Sequence, residues 1–148
     1  MSVFIPKDPS FESRVRGIFA DQSAMRTIGA SIESIEPGAV RLRMPFRVEF
    51  AQQHGYMHAA ISTMLVDTAC GCAAITLAAP GYNVLTVEYK VNFLNPGEGH
   101  TFIATGRVVK PGRTLTVCSG EVIALRDGGV SGDIASMLTT MMFVQAQA

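Results

Sequence analysis

From Ala59 to Ala79 the chain is apolar, small or hydroxylated at every position but one, and the exception is Asp67. A helix in water with no polar face has to be buried. A carboxylate in the middle of such a helix is costly unless a partner holds it or a reaction uses it. Asp67 is therefore the residue that needs explaining. About 20 apolar residues suffice to cross a bilayer, but Ala, Gly, Ser, Thr and Cys dominate this run and no Lys/Arg cluster flanks it. A central Asp would add roughly 2.5–3.5 kcal/mol even on a lenient insertion scale. Composition argues against a membrane span. Two readings remain: a core helix with one hydrogen-bonded Asp, or a buried helix that presents Asp67 into a site.

The 148 residues fit one domain with a sizeable core, 1–148, with residues 1–25 as an N-terminal helical segment packed on it. Twelve Lys+Arg balance twelve Asp+Glu, which argues against a nucleic-acid surface driven by bulk charge and against a polybasic membrane anchor. Near-zero net charge permits self-association. The three cysteines, Cys70, Cys72 and Cys118, do not form a disulfide framework by number or place. Cys70 and Cys72 on one helix point about 200° apart, so a shared metal is not expected. Residues 1–8 lack a basic region followed by an apolar one, and the expected setting is cytoplasmic.

Along the chain, Asp8 is a candidate N-cap with Pro9 at the first helical position, and Phe11, Val15, Ile18 and Phe19 make a helical stripe. Residues 30–36 and 39–46 read as a hairpin about Pro37-Gly38, with Val40, Leu42 and Met44 facing inward and Arg41 and Arg43 outward. Residues 47–58 have no period and form a loop carrying Gln52, Gln53, His54 and His58. After the long helix, Pro80-Gly81 is a stop. Strands follow at 84–93, 101–109, 114–125 and 134–144, joined by turns, and short connections suggest an antiparallel meander. A helix apolar all round needs cover on every side, which a strongly curved sheet provides. The expected class is α+β: a long buried central helix wrapped by a curved antiparallel β-sheet.

The loop and helix then become specific. His58-Ala59-Ala60-Ile61-x-x-x-Leu65-x-Asp67-x-Ala69-x-Gly71 resembles the His-Gly-Gly-x-x-x-x-Leu-x-Asp-x-Ala-x-Gly motif of the hotdog-fold acyl-CoA thioesterases of the phenylacetic-acid-degradation (PaaI-like) type. Leu85 to Pro96 resembles that family's strand after the helix, and Val108-x-x-Pro111-Gly112-Arg113-Thr114 its next hairpin. The resemblance spans roughly residues 30–145. It implies the hotdog fold, a homodimer or homotetramer, and sites shared at a dimer interface. It implies Asp67 as nucleophile or general base. Thr86 matches a strand hydroxyl that assists the acid. Gln52 stands where the family usually has Asn, and Ala59 and Ala60 stand where it has Gly. The family's first motif residue, Ala59 in this chain, offers its backbone N–H to the thioester carbonyl. His58 either caps the turn or orients the loop towards the thioester. No metal or other cofactor is implied.

Thioester hydrolysis needs donors for the oxygen that gains charge and a base or nucleophile aimed at the carbon. Ala59 and Asp67 lie eight residues apart, or ~12 Å along one helix. One helix therefore cannot aim both at one carbonyl, whereas two antiparallel copies can, so the spacing agrees with a site shared between subunits. Arg113 is a candidate contact for a coenzyme A phosphate, or else a solvated hairpin-tip charge. Met57, Met64, Met137, Met141 and Met142 are adaptable fillers of either core or acyl pocket. The expected activity is hydrolysis of a small aryl- or medium-chain acyl-CoA. A non-catalytic acyl-thioester binding protein and an enoyl-CoA hydratase or dehydratase using His58 as base remain open at this point.

Overall fold

The computed structural model describes residues 4–146. Three helices, α1 (Phe11–Asp21), α2 (Ser23–Ile28) and α3 (Ala59–Ile75), accompany six strands. The strands are β1 (Ser31–Glu36), β2 (Ala39–Pro45), β3 (Tyr82–Phe93), β4 (Thr101–Lys110), β5 (Leu115–Arg126) and β6 (Gly129–Gln145). They form one antiparallel sheet in the order β1-β2-β4-β5-β6-β3. This sheet packs on α3 in the α+β hotdog arrangement. No helix among the described residues is long and apolar enough to cross a membrane.

The inward row of β2, Val40, Leu42 and Met44, is fully buried. On its other face Arg41 and Arg43 pair with Glu33 at 3.0 and 3.6 Å. Ile32 and Ile35, three apart, both pack on the core because the β1–β2 register shifts between Ile32 and Ser34.

Several expectations are corrected. The first helix begins at Phe11 rather than at Pro9, because the Asp8 carboxylate accepts from the Ser10 N–H (2.9 Å) and hydroxyl (2.6 Å) in a turn of its own. Helix α2 was not anticipated. Its signal was Met25 and Ile28, both buried, followed by Gly29 at φ 72° as a left-handed cap. Helix α3 ends at Ile75, not Ala79. Beyond it, Leu77 and Ala78 donate to Ala74 and Ile75, so the last turn tightens.

The four-strand meander is only partly formed. Strands β4, β5 and β6 are consecutive neighbours, but β3 lies beyond β6 at the sheet edge. The edge of β4 that a β3 hairpin would need is occupied by β2. The 94–100 connection instead passes the entry to α3, where Gly97 accepts from the Met57 N–H at 2.8 Å.

Leu65, Val66, Ala69, Cys70 and Ala73 of α3 are fully buried against the sheet. Two strand glycines set how closely helix and sheet approach. A Cβ at Gly106 would overlap the Ala69 backbone, and one at Gly120 would meet the Val66 side chain and the Cys70 sulfur. Because the obstacle at Gly106 is backbone, Gly106→Ala should cost about 3 kcal/mol or more. Denaturant unfolding would show it as a lower midpoint at constant m-value.

Burial pushes the Cys72 and Cys118 thiols up to about 12. All three cysteines are buried and free, inert at neutral pH.

Candidate active site

Helix α3 starts at Ala59 because His58 adopts an extended backbone (φ −62°, ψ 135°) and its Nδ1 accepts from the Ala60 N–H at 3.0 Å. The ring is thereby the N-cap of the helix. The Ala59 N–H itself has no acceptor among the described residues. It is the first orphan donor of the helix, at the end where the peptide dipoles gather positive charge.

The loop before it is ordered by its own backbone. His58 donates to Phe50 (2.8 Å), Gln52 to Tyr56 (2.8 Å) and Gly55 to Gln52 (2.9 Å), with Gly55 at φ 83°. The Gln52 side-chain oxygen accepts from the His54 N–H. That contact points the carboxamide and leaves its NH2 as the free donor. Gln52 and Ala59 share the wall of a 330 Å³ cavity with Met57, Ser62, Phe93 and Ile134.

Asp67 sits two turns into α3, half-buried. The Thr86 hydroxyl donates to its Oδ1 at 3.0 Å and lies 3.3 Å from Oδ2. Burial holds the Asp67 carboxyl above the ordinary carboxylate range, and the Thr86 bond offsets part of that rise. The structure therefore brings Asp67 and Thr86 together and sets Gln52, His58 and Ala59 together at the other end of the exposed helix face.

Strand periodicity alone places Thr86 on the face opposite to Leu85 and Val87. The β3–β6 register shifts between Thr86 and Glu88. Before the shift Thr86 pairs with the fully buried Met141; after it Tyr89, Val91 and Phe93 pair with the buried Thr139, Met137 and Ala135. The bulge thus turns both Thr86 and the following aromatics towards the helix.

Two further cavities meet at Asp67. One, of 490 Å³, is bounded by Ala59, Ala60, Thr63, Met64, Tyr89, Val91 and Phe93. The other, of 730 Å³, runs towards the far end of α3 between Gly71, Cys72 and Ile75 and the first residues of β3. Ile18 of helix α1 and Gln22, the residue between α1 and α2, border the larger cavity, a role not legible from the apolar stripe. Arg14 holds α1 in place. It pairs with Asp8 at 3.2 Å and donates to the carbonyls of Ala78, Ala79 and Tyr82 just beyond α3.

Arg113 does not reach Asp67; it borders a separate 140 Å³ niche with Lys7, Ala79, Tyr82 and Phe143. Met57, Met137 and Met141 are core residues, while Met64 also faces the cavity at Asp67. No group of three or more His, Cys, Asp or Glu suited to a metal ion occurs among the described residues.

Comparison with known proteins shows the family and the fold. A sequence model of the thioesterase superfamily matches residues 54–131. A protein of Halobacterium salinarum assigned as an esterase is 32% identical over 113 residues, covering 72% of this chain and 74% of its own. The structure of a thioesterase family protein from Silicibacter pomeroyi is 47% identical, with a TM-score of 0.90 over 92% of this chain and 99% of that one. The Escherichia coli PaaI protein from the phenylacetic acid degradation operon shares the fold: TM-score 0.82 at 18% identity, over 93% of this chain and 96% of its own.

Proposed function

Because the chain belongs to the thioesterase superfamily, we propose that it hydrolyses acyl-CoA thioesters at a site built from Asp67 and Thr86 of one subunit and the Gln52–Ala59 loop of another. The observation that carries this reading is the half-buried Asp67, hydrogen-bonded by Thr86 at 3.0 Å and opening onto two cavities on one exposed helix face.

The dimer follows from the edge. Strand β3 ends the sheet and exposes Leu85, Val87, Tyr89 and Phe93, each about half accessible. A long apolar edge strand is a ready template for a second strand. Antiparallel pairing of two β3 edges lays two α3 helices side by side. It covers these side chains and brings Asp67 of each copy near the Ala59 N–H of the other, as the ~12 Å between them on one helix requires.

In the proposed reaction Asp67 takes the proton of a water whose oxygen attacks the thioester carbon. The carbonyl oxygen gains the negative charge and accepts from the Ala59 N–H at the positive end of the helix. Collapse breaks the C–S bond, and the Asp67 proton passes to the leaving thiolate. Direct attack by Asp67, giving an anhydride that water then opens, uses the same groups. The Gln52 NH2 binds the water or the carbonyl. His58 holds the helix start: its Nδ1 is engaged by the Ala60 N–H, which disfavours the reading of it as the base of a hydratase. The acyl group is a small aryl or medium-chain one.

The test is complementation between two inactive chains. In a shared site, a heterodimer of Asp67→Asn and Ala59→Pro regenerates one intact site, so random mixing restores about a quarter of wild-type turnover. Activity is followed as thiol release from a panel of aryl- and alkyl-CoA esters. If mixing never restores activity, the shared site is wrong.

Thr86→Val removes the bond that lowers the Asp67 pKa, so the acid limb of the kcat/KM profile should move to higher pH, with about tenfold lower turnover at neutral pH. An unmoved limb would separate Thr86 from Asp67.

A further inference from the structure

Strand β3 brings a hydroxyl to Asp67 only through one extra residue. Val87 has no partner in the β3–β6 register: Thr86 pairs with Met141, and Glu88 already pairs with Thr140. If the pairing of Glu88, Tyr89 and Lys90 ran on without that extra residue, Thr86 would fall opposite the half-exposed Met142 instead of the fully buried Met141. It would then face away from α3. The hydroxyl that donates to Asp67 is therefore aimed by a bulge.

A bulge disrupts the ladder where it sits, and strand β6 braces this one from two adjacent residues. On the inner face the hydroxyl of the fully buried Thr139 donates to the main-chain carbonyl of Glu88 at 2.8 Å. On the outer face the Thr140 hydroxyl donates to the Glu88 carboxylate at 2.6 Å. The first bond fixes main chain; the second fixes an exposed side chain that is free to turn. Met141 backs the Thr86 hydroxyl, its Sδ 3.5 Å away.

Among the described residues, Thr86 is the side chain that opposes the effect of burial on the Asp67 carboxyl. The walls of the two cavities at Asp67 carry no second carboxylate and no Lys, Arg or His among those residues. The titratable groups near it are the Cys70 and Cys72 thiols, which burial keeps protonated, and the Tyr89 phenol. In the proposed pair of subunits the neighbouring loop adds His54 and His58, which every variant below retains.

We propose that Thr139 is a positioning residue of this site: its hydroxyl fixes the bulge at Val87, and the bulge holds the Thr86 hydroxyl on Asp67. Thr139 lines neither cavity at Asp67 and acts through Thr86. The proposal rests on the thioesterase reading of Asp67 and adds the residue that keeps its hydrogen-bond partner in register.

Thr139→Val keeps the shape of the side chain and removes the hydroxyl, while Thr139→Ser keeps the hydroxyl. The kinetics of one acyl-CoA ester are followed across pH, and the Asp67 carboxyl is titrated directly by carboxyl-carbon NMR. Thr139→Val should raise the Asp67 midpoint and move the acid limb of kcat/KM to higher pH with it. It should lower kcat at neutral pH about threefold to tenfold, with KM changed by no more than about twofold. Thr139→Ser should restore all of these. Added to Thr86→Val, Thr139→Val should move the limb no further, because the bond it protects is already gone. Thr140→Val removes the neighbouring hydroxyl and should leave midpoint and limb in place.

A midpoint that stays at its wild-type value in Thr139→Val while rising in Thr86→Val overturns the proposal and leaves the thioesterase reading standing. So does a double variant whose shifts add, or a Thr140→Val shift as large as that of Thr139→Val. If wild type releases no thiol, yet the midpoint rises in Thr139→Val and returns in Thr139→Ser, the thioesterase reading falls and the positioning role stands. Thermal melts accompany each variant. Should Thr139→Val melt too low to titrate, Thr139→Cys, with its weaker donor, takes its place: a smaller rise is expected, and no rise overturns the proposal.

Discussion

Asp67→Asn should lower kcat for thioester hydrolysis by roughly two to four orders of magnitude, the range that a positioned acid–base group contributes. The replacement keeps the size of the side chain and its hydrogen bond to the Thr86 hydroxyl, so the groove is preserved while the proton acceptor is gone. Stability should move the other way. Burial raises the Asp67 pKa in the folded state, so the native protein binds this proton more tightly than the unfolded chain. The ionised carboxylate then destabilises the fold at pH above its folded pKa. That penalty disappears as pH falls through the folded value towards the unfolded one, near 3.9. Asp67→Asn should therefore have a Tm at neutral pH equal to or above wild type, and the gap should close in acid. The same shift places the acid limb of wild-type kcat/KM above the ordinary Asp value. A variant that keeps turnover, or a Tm well below wild type at pH 7, would show that Asp67 serves the fold rather than the reaction.

Ala59→Pro is the second large effect, and it isolates a single backbone N–H. Ala59 is the first residue of α3, where proline is favoured and the missing donor is one the helix does not use. The preceding residue must be extended, and His58 already is, at φ −62° and ψ 135°. Helix and cap survive, since the His58 ring bonds to Ala60. What is lost is the donor assigned to the thioester oxygen. Removing one such donor typically costs 10²–10³ in kcat, and the loss should appear in kcat more than in KM. Circular dichroism and thermal melts close to wild type, together with that loss, would assign the N–H. Full activity would mean that the carbonyl is stabilised elsewhere, Gln52 being the next group to remove. Both variants are also the parents of the complementation test, so their individual folding is informative in its own right.

Much of the molecule is legible in its sequence. The unbroken apolar run from Ala59 meant a buried helix, because no face of it is polar, and the wrapping sheet follows from the cover it needs. The alternation of Val40, Leu42 and Met44 with Arg41 and Arg43 gave the facing of β2, because one face of a half-wet strand repeats every second residue. Asp67 stood out because a lone carboxylate in such a helix is costly. These are local properties, carried by spacing along the chain.

Only the tertiary structure decided the rest, and in each case the reason is that two distant segments had to meet. Strand β3 went to the edge because β2 holds the side of β4 that it would have paired with. The bulge after Thr86 reversed which residues face the helix, a one-residue slip that periodicity cannot announce. Gly106 and Gly120 matter for the bulk of α3 opposite them, not for their own turns. Helix α1 became a wall of the groove, and Lys7 came beside Arg113, across 106 residues of sequence. The sequence by itself determined that a buried helix carries one costly acid, because the run around it offers no other charge; which hydroxyl holds that acid, and which grooves lead to it, was decided by packing between strands that no local pattern connects.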